Sequence, residues 1–351
     1  MNWDRRTRAG VARAAFTLGR DLIGRRLFGA GHLRPLYAVW YVTLRCNLAC
    51  AFCDDGLGSQ YPAVHHPELS AADGQRLLGI IRQGCGSIYF SGGEPLVRKD
   101  FDNLLATARN LDFWPIFVNT NLSLPGFSGD TLKEADVLIV SLGSTDETGY
   151  DRIIGRPGHT RRILDNLRIC AQAQQRGGPQ VVVNCVISAG RVEDARSVWE
   201  LCRQLRVWFS PVPENQRAYI DPSLPLAPDY EKLVEDVLAA KKRNEWIYGS
   251  LRGLETLLRG RRFRCYPTLA PHIYPNGDLF YPCHPLRQKA ANLIAIGSFA
   301  EAWRMGAEQF APMPACDNRC HLPCYVNANG WIEHPFEMTF ENFKVCKAAS
   351  C

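Results

Sequence analysis

No segment of this 351-residue chain approaches the ~20 continuous apolar residues needed to cross a bilayer. Nothing near its start reads as a signal-peptide h-region, and it holds no internal repeat and no low-complexity tract. A membrane-spanning helical protein is excluded, and a cytoplasmic location in a reducing compartment is expected. Charge is scarce once the first residues are set aside. Residues 1–34 hold eight arginines against Asp4 and Asp21, which accounts for the whole net charge of +6. The rest carries 33 of the 41 basic and 33 of the 35 acidic side chains, so no basic face for nucleic acid is expected. The composition, 46% hydrophobic and 22% charged, is that of a soluble globular protein, long enough for one large domain and a smaller one.

Cysteine is what the chain has in excess: fourteen, concentrated at an early triplet and from Cys265 onward. Cys46, Cys50 and Cys53 form a C-x3-C-x2-C run straight after an apolar segment, 36–42. A structural zinc site would match a C-x2-C pair with a second pair, and none follows within fifty residues. Disulfides in so short a window would be strained and would leave one cysteine over. Three thiolates this close can instead ligate three corners of a cubane iron–sulfur cluster, leaving its fourth iron open for chemistry.

The triplet, with Phe52 directly before the last cysteine, resembles the signature of the radical S-adenosylmethionine (SAM) superfamily. Ile88-Tyr-Phe-Ser-Gly-Gly-Glu-Pro95 resembles that family's second strand and its Gly-Gly-Glu-Pro turn. The resemblance implies a [4Fe–4S] cluster on Cys46, Cys50 and Cys53, with the cofactor's methionine amine and carboxylate on the open iron. It also implies that the Gly92-Gly93-Glu94 turn receives the amine. The two glycines would let backbone approach a ligand closely, and Glu94 would accept a charge-assisted hydrogen bond from an ammonium. Segment 115–121 resembles the family's third strand, 136–144 its fourth, and 180–188 a further apolar strand carrying Asn184. On that footing Ser141 and Arg152 are the leading further cofactor contacts, ahead of Asn119, Asn184 and Glu214. Each is also a candidate strand cap.

The apolar and helical periods agree with this. Strands are predicted over 36–42, 87–90, 115–119, 137–142, 181–187 and 207–212, and helices over 70–83, 101–110, 160–175 and 192–205. Ser70 with Asp73 reads as a capping box. Apolar strands alternating with helices imply an α/β fold, a parallel sheet covered by helices. Six units match the partial (β/α)6 TIM-like barrel of the resembled family, with the site at the strands' carboxyl ends. The expected division is a basic amphipathic helix over 1–35, a barrel over 36–225, a helical connector over 226–264 (helices 229–242 and 251–262) and a small cysteine-rich domain over 265–351. In the first segment Val11, Ala15, Leu18 and Leu22 follow helical spacing, joined by Phe16, Ile23 and Leu27. That stripe can pack on the barrel or lie on an anionic membrane surface.

In the last part, Asn276-Gly277 between aromatic flanks reads as a tight hairpin turn with both central residues at positive φ. The hairpin would bring Cys265 and Cys283 close together. Cys316, Cys320 and Cys324 follow as C-x3-C-x3-C, then Cys346 and Cys351. The order resembles the auxiliary-cluster extension called SPASM, or its shortened twitch form, with one cysteine of the block missing. It implies one auxiliary [4Fe–4S] cluster on Cys265, Cys283 and two of Cys316, Cys320 and Cys324, a structural zinc site being the alternative. Cys85, Cys170, Cys185 and Cys202 lie in or beside predicted elements and read as small buried apolar residues. The function expected is reductive cleavage of S-adenosylmethionine to a 5′-deoxyadenosyl radical that takes hydrogen from a small-molecule or lipid substrate. A flavodoxin- or ferredoxin-like electron donor is implied. Peptide or protein maturation is the alternative, and a non-enzymatic iron–sulfur carrier a remote third.

Overall fold

A computed structural model of the chain describes residues 33–55, 59–128, 130–310 and 320–348, with side chains to 341, and the positions Gly10, Ala12, Phe16, Gly19, Arg20 and Ile23. Cys316 and Cys351 lie outside the described residues, as do the side chain of Cys346 and most of the predicted amino-terminal helix.

Six strands alternate with helices: β1 (Ala38–Thr43), α1 (Ala71–Gly84), β2 (Ile88–Gly92), α2 (Phe101–Asn110), β3 (Ile116–Thr120), β4 (Val137–Ser141), α3 (Glu147–Ile154), α4 (His159–Gln175), β5 (Gln180–Ile187), α5 (Val192–Leu205) and β6 (Trp208–Pro213). Each pairs in parallel with the next, and the sheet stays open. Both faces are covered, which is why the strands read as apolar runs rather than alternating ones. One face packs Trp40, Phe90, Val118, Val140, Val183 and Phe209 against the helices. The inward face holds Tyr89, Phe117, Ile139, Val182 and Trp208 as an apolar floor. Ser70 caps α1 as its sequence predicts: its hydroxyl accepts the Asp73 N–H at 3.1 Å and donates to the Asp73 carboxylate at 2.8 Å.

Two short strands, β7 (Asn215–Gln216) and β8 (Tyr219–Ile220), lead to the connector helices α6 (Pro228–Lys242) and α7 (Leu251–Leu258). The helix expected over 251–262 stops at Leu258, with Arg259 as its cap and Gly260 behind it.

The cysteine-rich part extends the sheet. Strand β9 (His272–Ile273) pairs in parallel with β1, and β10 (Asp278–Phe280) and β11 (Lys289–Asn292) follow antiparallel, giving nine strands in the order β11-β10-β9-β1-β2-β3-β4-β5-β6. Four helices complete the described chain: α8 (Leu293–Ile296), α9 (Phe299–Phe310), α10 (Pro323–Glu333) and α11 (Pro335–Ala348). The hairpin turn differs from its sequence reading, because only Gly277 has positive φ, +86°. Pro275 fixes its own φ near the value the first central position of a common turn needs. The bend therefore centres on Pro275-Asn276, closed by the Gly277 N–H on Tyr274 O at 2.9 Å, with Gly277 as the following left-handed residue.

Trp40 is fully buried between Phe90 and α1. Trp40→Ala is expected to cost about 3–5 kcal/mol, read as a fall in the thermal unfolding midpoint.

Candidate functional site

The carboxyl end of β1 runs directly into the cysteine loop, and the carboxyl end of β2 folds onto that loop's backbone. Gly93 N–H donates to Thr43 O at 3.0 Å, and Glu94 N–H to Arg45 O at 2.9 Å. A Cβ on Gly92, whose φ is +127°, would stand 2.0 Å from Thr43 O; one on Gly93 would stand 2.3 Å from Arg45 O. The space left by the missing side chains is thus filled by the chain's own cysteine loop, where the sequence reading had placed a ligand.

Glu94 is buried, and its carboxylate accepts three hydrogen bonds from the chain: Leu96 N–H at 3.1 Å, Thr120 Oγ1 at 2.8 Å and Asn121 N–H at 2.6 Å. It ties β2 to the end of β3. Burial pushes its pKa up to about 7, and the three donors pull the other way. Asn121 carries the link onward, donating to Asn47 Oδ1 at 3.1 Å and to Cys46 Sγ at 3.7 Å. Asn47 donates to Ser123 Oγ at 2.7 Å.

On the other side the loop hangs from the last turn of α3. Ala49 N–H and Ala51 N–H donate to the orphan carbonyls of Ile154 and Ile153, at 2.9 and 2.8 Å. Arg156 donates to Asn47 O at 3.1 Å. Arg152, the cofactor contact expected from the sequence, stands exposed on α3, and Arg156, just past the helix end, reaches the loop. Asn47, Asn121 and Ser123 are not among the contacts expected from the sequence. Asn121 sits within the quoted segment 115–121, and the pair of asparagines two apart at a strand end was the available signal.

Cys46, Cys50 and Cys53 are all half-buried, with Phe52 packed against the main core. Cys46 Sγ also accepts the Leu48 N–H at 3.4 Å. Burial pushes the Cys46 thiol up to about 11 and Cys50 to about 12, and raises Cys53 as well. Acidic neighbours add to this, Glu94 at Cys46 and Asp54 and Asp55 at Cys53, so ligation must displace protons. Among the described residues no three metal-binding side chains converge on a single ion. Ligands ~2.3 Å from one ion crowd together, whereas thiolates at separate corners of a cubane stand farther apart.

Above the apolar floor the inward face turns polar. Ser141 is in register with Asn184, and Asn184 with Ser210, whose hydroxyl lies 3.4 Å from Asn184 Oδ1. Asn119 Nδ2 lies 3.4 Å from Ser91 Oγ, while Asn119 Oδ1 is buried with no hydrogen-bond partner among the described residues. A buried orphan acceptor costs about 1–3 kcal/mol, which a ligand hydroxyl or amine would relieve. An inward polar belt with a buried orphan acceptor therefore fits a polar cofactor. Glu214 lies farther along, its N–H on Ile187 O at 2.9 Å.

The second cysteine group is assembled on α10. Tyr266 N–H, next to Cys265, donates to Asn329 Oδ1 at 2.6 Å; His284 N–H, next to Cys283, donates to Tyr325 Oη at 2.9 Å. Cys324 sits in the first turn of the same helix and Cys320 just before it. All four thiols are half-buried against Leu33, Tyr266, Leu269, Tyr325 and Ile332. Cys324 is pushed up first by burial, then by Cys320 and Cys265. Cys85, Cys170, Cys185 and Cys202 are buried in the core, as expected.

Residues 40–204 match the Radical SAM superfamily. That stretch is a radical SAM domain, which indicates an enzyme and implies a [4Fe–4S] cluster and SAM as its cofactors. A probable GTP 3′,8-cyclase of Methanothermobacter thermautotrophicus is 33% identical over 180 residues, 49% of this chain and 56% of that protein. The chain thus spans about half the length of this curated relative. SuiB of Streptococcus suis, solved with the precursor peptide SuiA, aligns with a TM-score of 0.59 at 21% identity, covering 88% of this chain and 76% of that one. The protein anSMEcpe with bound AdoMet aligns at 0.58 and 14% identity, covering 90% and 99%. At these identities the likeness is one of fold.

Three outcomes follow from this geometry. Gly92→Ala forces the turn off the cysteine loop and is expected to abolish cluster loading, read as iron per protein, with the apo-protein's melting point lowered. Glu94→Gln leaves a buried N–H without an acceptor and is expected to destabilise the apo-protein by about 1–3 kcal/mol in thermal unfolding. Because the free thiols are protonated at neutral pH, cluster loading is expected to rise with pH between 7 and 9, and a flat yield would contradict the thiol assignment.

Proposed function

We propose that this chain reductively cleaves SAM and directs the resulting radical at a small-molecule or lipid substrate. The observations that carry the reading are the cysteine loop held from both sides, by the Gly92-Gly93-Glu94 turn and by α3, and an inward polar belt with an orphaned acceptor at Asn119. Cys46, Cys50 and Cys53 would hold three corners of the cluster. When bound, cluster and cofactor together would supply one electron and a 5′-deoxyadenosyl radical able to take hydrogen from an unactivated carbon. The chain's own part is to place the thiols, orient the cofactor and exclude water. Glu94 contributes by fixing the end of β3 beside Cys46, and Ser141, Asn184 and Asn119 by hydrogen bonds along the belt. Backbone on the open side of Gly92 and Gly93 is the proposed seat of the cofactor amine. A flavodoxin- or ferredoxin-like protein would deliver the electron, and Cys265, Cys283, Cys320 and Cys324 would hold an auxiliary [4Fe–4S] cluster.

The lipid variant draws support from the amino-terminal segment. Gly10 packs on Trp114, whereas Phe16 and Ile23, each in helical backbone, are 72% and 63% exposed. Two large apolar side chains facing outward from an arginine-rich segment suit an anionic lipid surface. No helix of the described residues is long and apolar enough to cross a membrane. Peptide maturation is the second reading, supported by the fold shared with SuiB.

Anaerobically reconstituted protein given dithionite and SAM is expected to form 5′-deoxyadenosine and methionine, detected by mass spectrometry. Cys50→Ala should abolish both. Absence of 5′-deoxyadenosine from fully loaded wild type would overturn the reading.

A further inference from the structure

Between the barrel interior and the second cysteine group lies a buried histidine that the proposed chemistry does not use. The parallel pairing of β9 with β1 sets His272 opposite Val39, 2% exposed. Its ring stands 5.6 Å from that of Tyr41 on the inward face and stacks on His284 at 5.3 Å. Its Nε2 lies 3.9 Å from Cys324 Sγ. Its Nδ1 has two neighbours, Ala270 O at 3.0 Å and Tyr325 Oη at 3.1 Å.

These neighbours allow two tautomers, and the state of Cys324 chooses between them. A free Cys324 thiol can give its proton to Nε2, leaving Nδ1–H to donate to the Ala270 carbonyl. A metal-bound Cys324 sulfur has no proton and carries negative charge, so it can only accept. The imidazole then gains most by placing its proton on Nε2, because a charge-assisted bond is about twice as strong as a neutral one. Nδ1 becomes an acceptor, and the donor is already in place. Tyr325 Oη accepts the His284 N–H at 2.9 Å, which leaves its own hydroxyl proton for His272. Backbone N–H groups of α10's first turn also face the sulfur, but His272 is the side-chain donor.

Resting on the auxiliary-cluster reading above, we infer that His272 is a positioning residue for that centre: it donates Nε2–H to the Cys324 sulfur and thereby raises the centre's reduction potential. Hydrogen bonds to ligand sulfurs offset the negative charge added on reduction and so favour the reduced state. Tyr325 holds the imidazole in the donating tautomer and ring orientation. It is also the residue to which the Cys283 segment is tied, so one phenol aligns the donor with the ligand set.

The test is an EPR-monitored redox titration of the reconstituted full chain carrying Cys46→Ala, Cys50→Ala and Cys53→Ala, which isolates the second centre. Adding His272→Leu is expected to shift the midpoint to more negative potential. His272→Gln, whose amide N–H can replace the donor, should restore part of the shift, and Tyr325→Phe should give a smaller shift in the same direction. Iron content is measured alongside. If His272→Leu takes up no cluster, His272→Gln and Tyr325→Phe decide, and midpoints equal to the parent in both would overturn the inference. A parent without any second centre would overturn the auxiliary-cluster reading and this inference with it. A second centre whose midpoint ignores every His272 and Tyr325 change would overturn this inference alone.

Discussion

The cysteine loop on which the proposed chemistry rests depends on one close backbone approach, that of Gly92 and Gly93 onto Thr43, Leu44 and Arg45. Two strands that are neighbours in a parallel sheet end side by side, and each must turn without a clash. Removing two Cβ atoms lets the second turn lie flat on the first, so that N–H groups of one meet carbonyls of the other. Glu94 then reaches sideways to β3, and Asn121 returns to Cys46. The cysteine loop is irregular backbone, yet it is braced from three strands and one helix. A loop that carries ligands needs such bracing, because its own local contacts cannot fix it.

The six barrel strands were legible because both faces of the sheet are covered. Buried parallel strands read as continuous apolar runs, and 181–187 and 207–212 fall within a residue of the observed ends. The cysteine triplet and Gly-Gly-Glu turn were legible for a different reason: their residue types are rarely interchangeable. The direction in which the glycines face was hidden, since a sequence shows that a side chain is missing without showing what fills the space. Arg156 was missed for the same kind of reason. Its role depends on how far α3 runs before it ends, and helix ends are the least readable part of a sequence.

The hairpin shows the limit from another side. Asn-Gly is the strongest short-range turn signal, but Pro275 takes the first central position and shifts the bend by one residue. How the cysteine-rich part meets the barrel was hidden as well. Two-residue β9 is too short to detect by period, yet it joins β10 and β11 to β1 and makes one continuous sheet. That joining brings His272 and Cys324 beside the barrel's inward face, and it places the two cysteine groups within one packed body.

The cluster proposed on Cys46, Cys50 and Cys53 would keep one iron free of protein ligands. EPR of the reduced, reconstituted protein with and without SAM is the direct test. Adding SAM is expected to change the g-values of one cluster signal, and this signal should be absent from Cys50→Ala protein. A reduced spectrum that is the same with and without saturating SAM would contradict it.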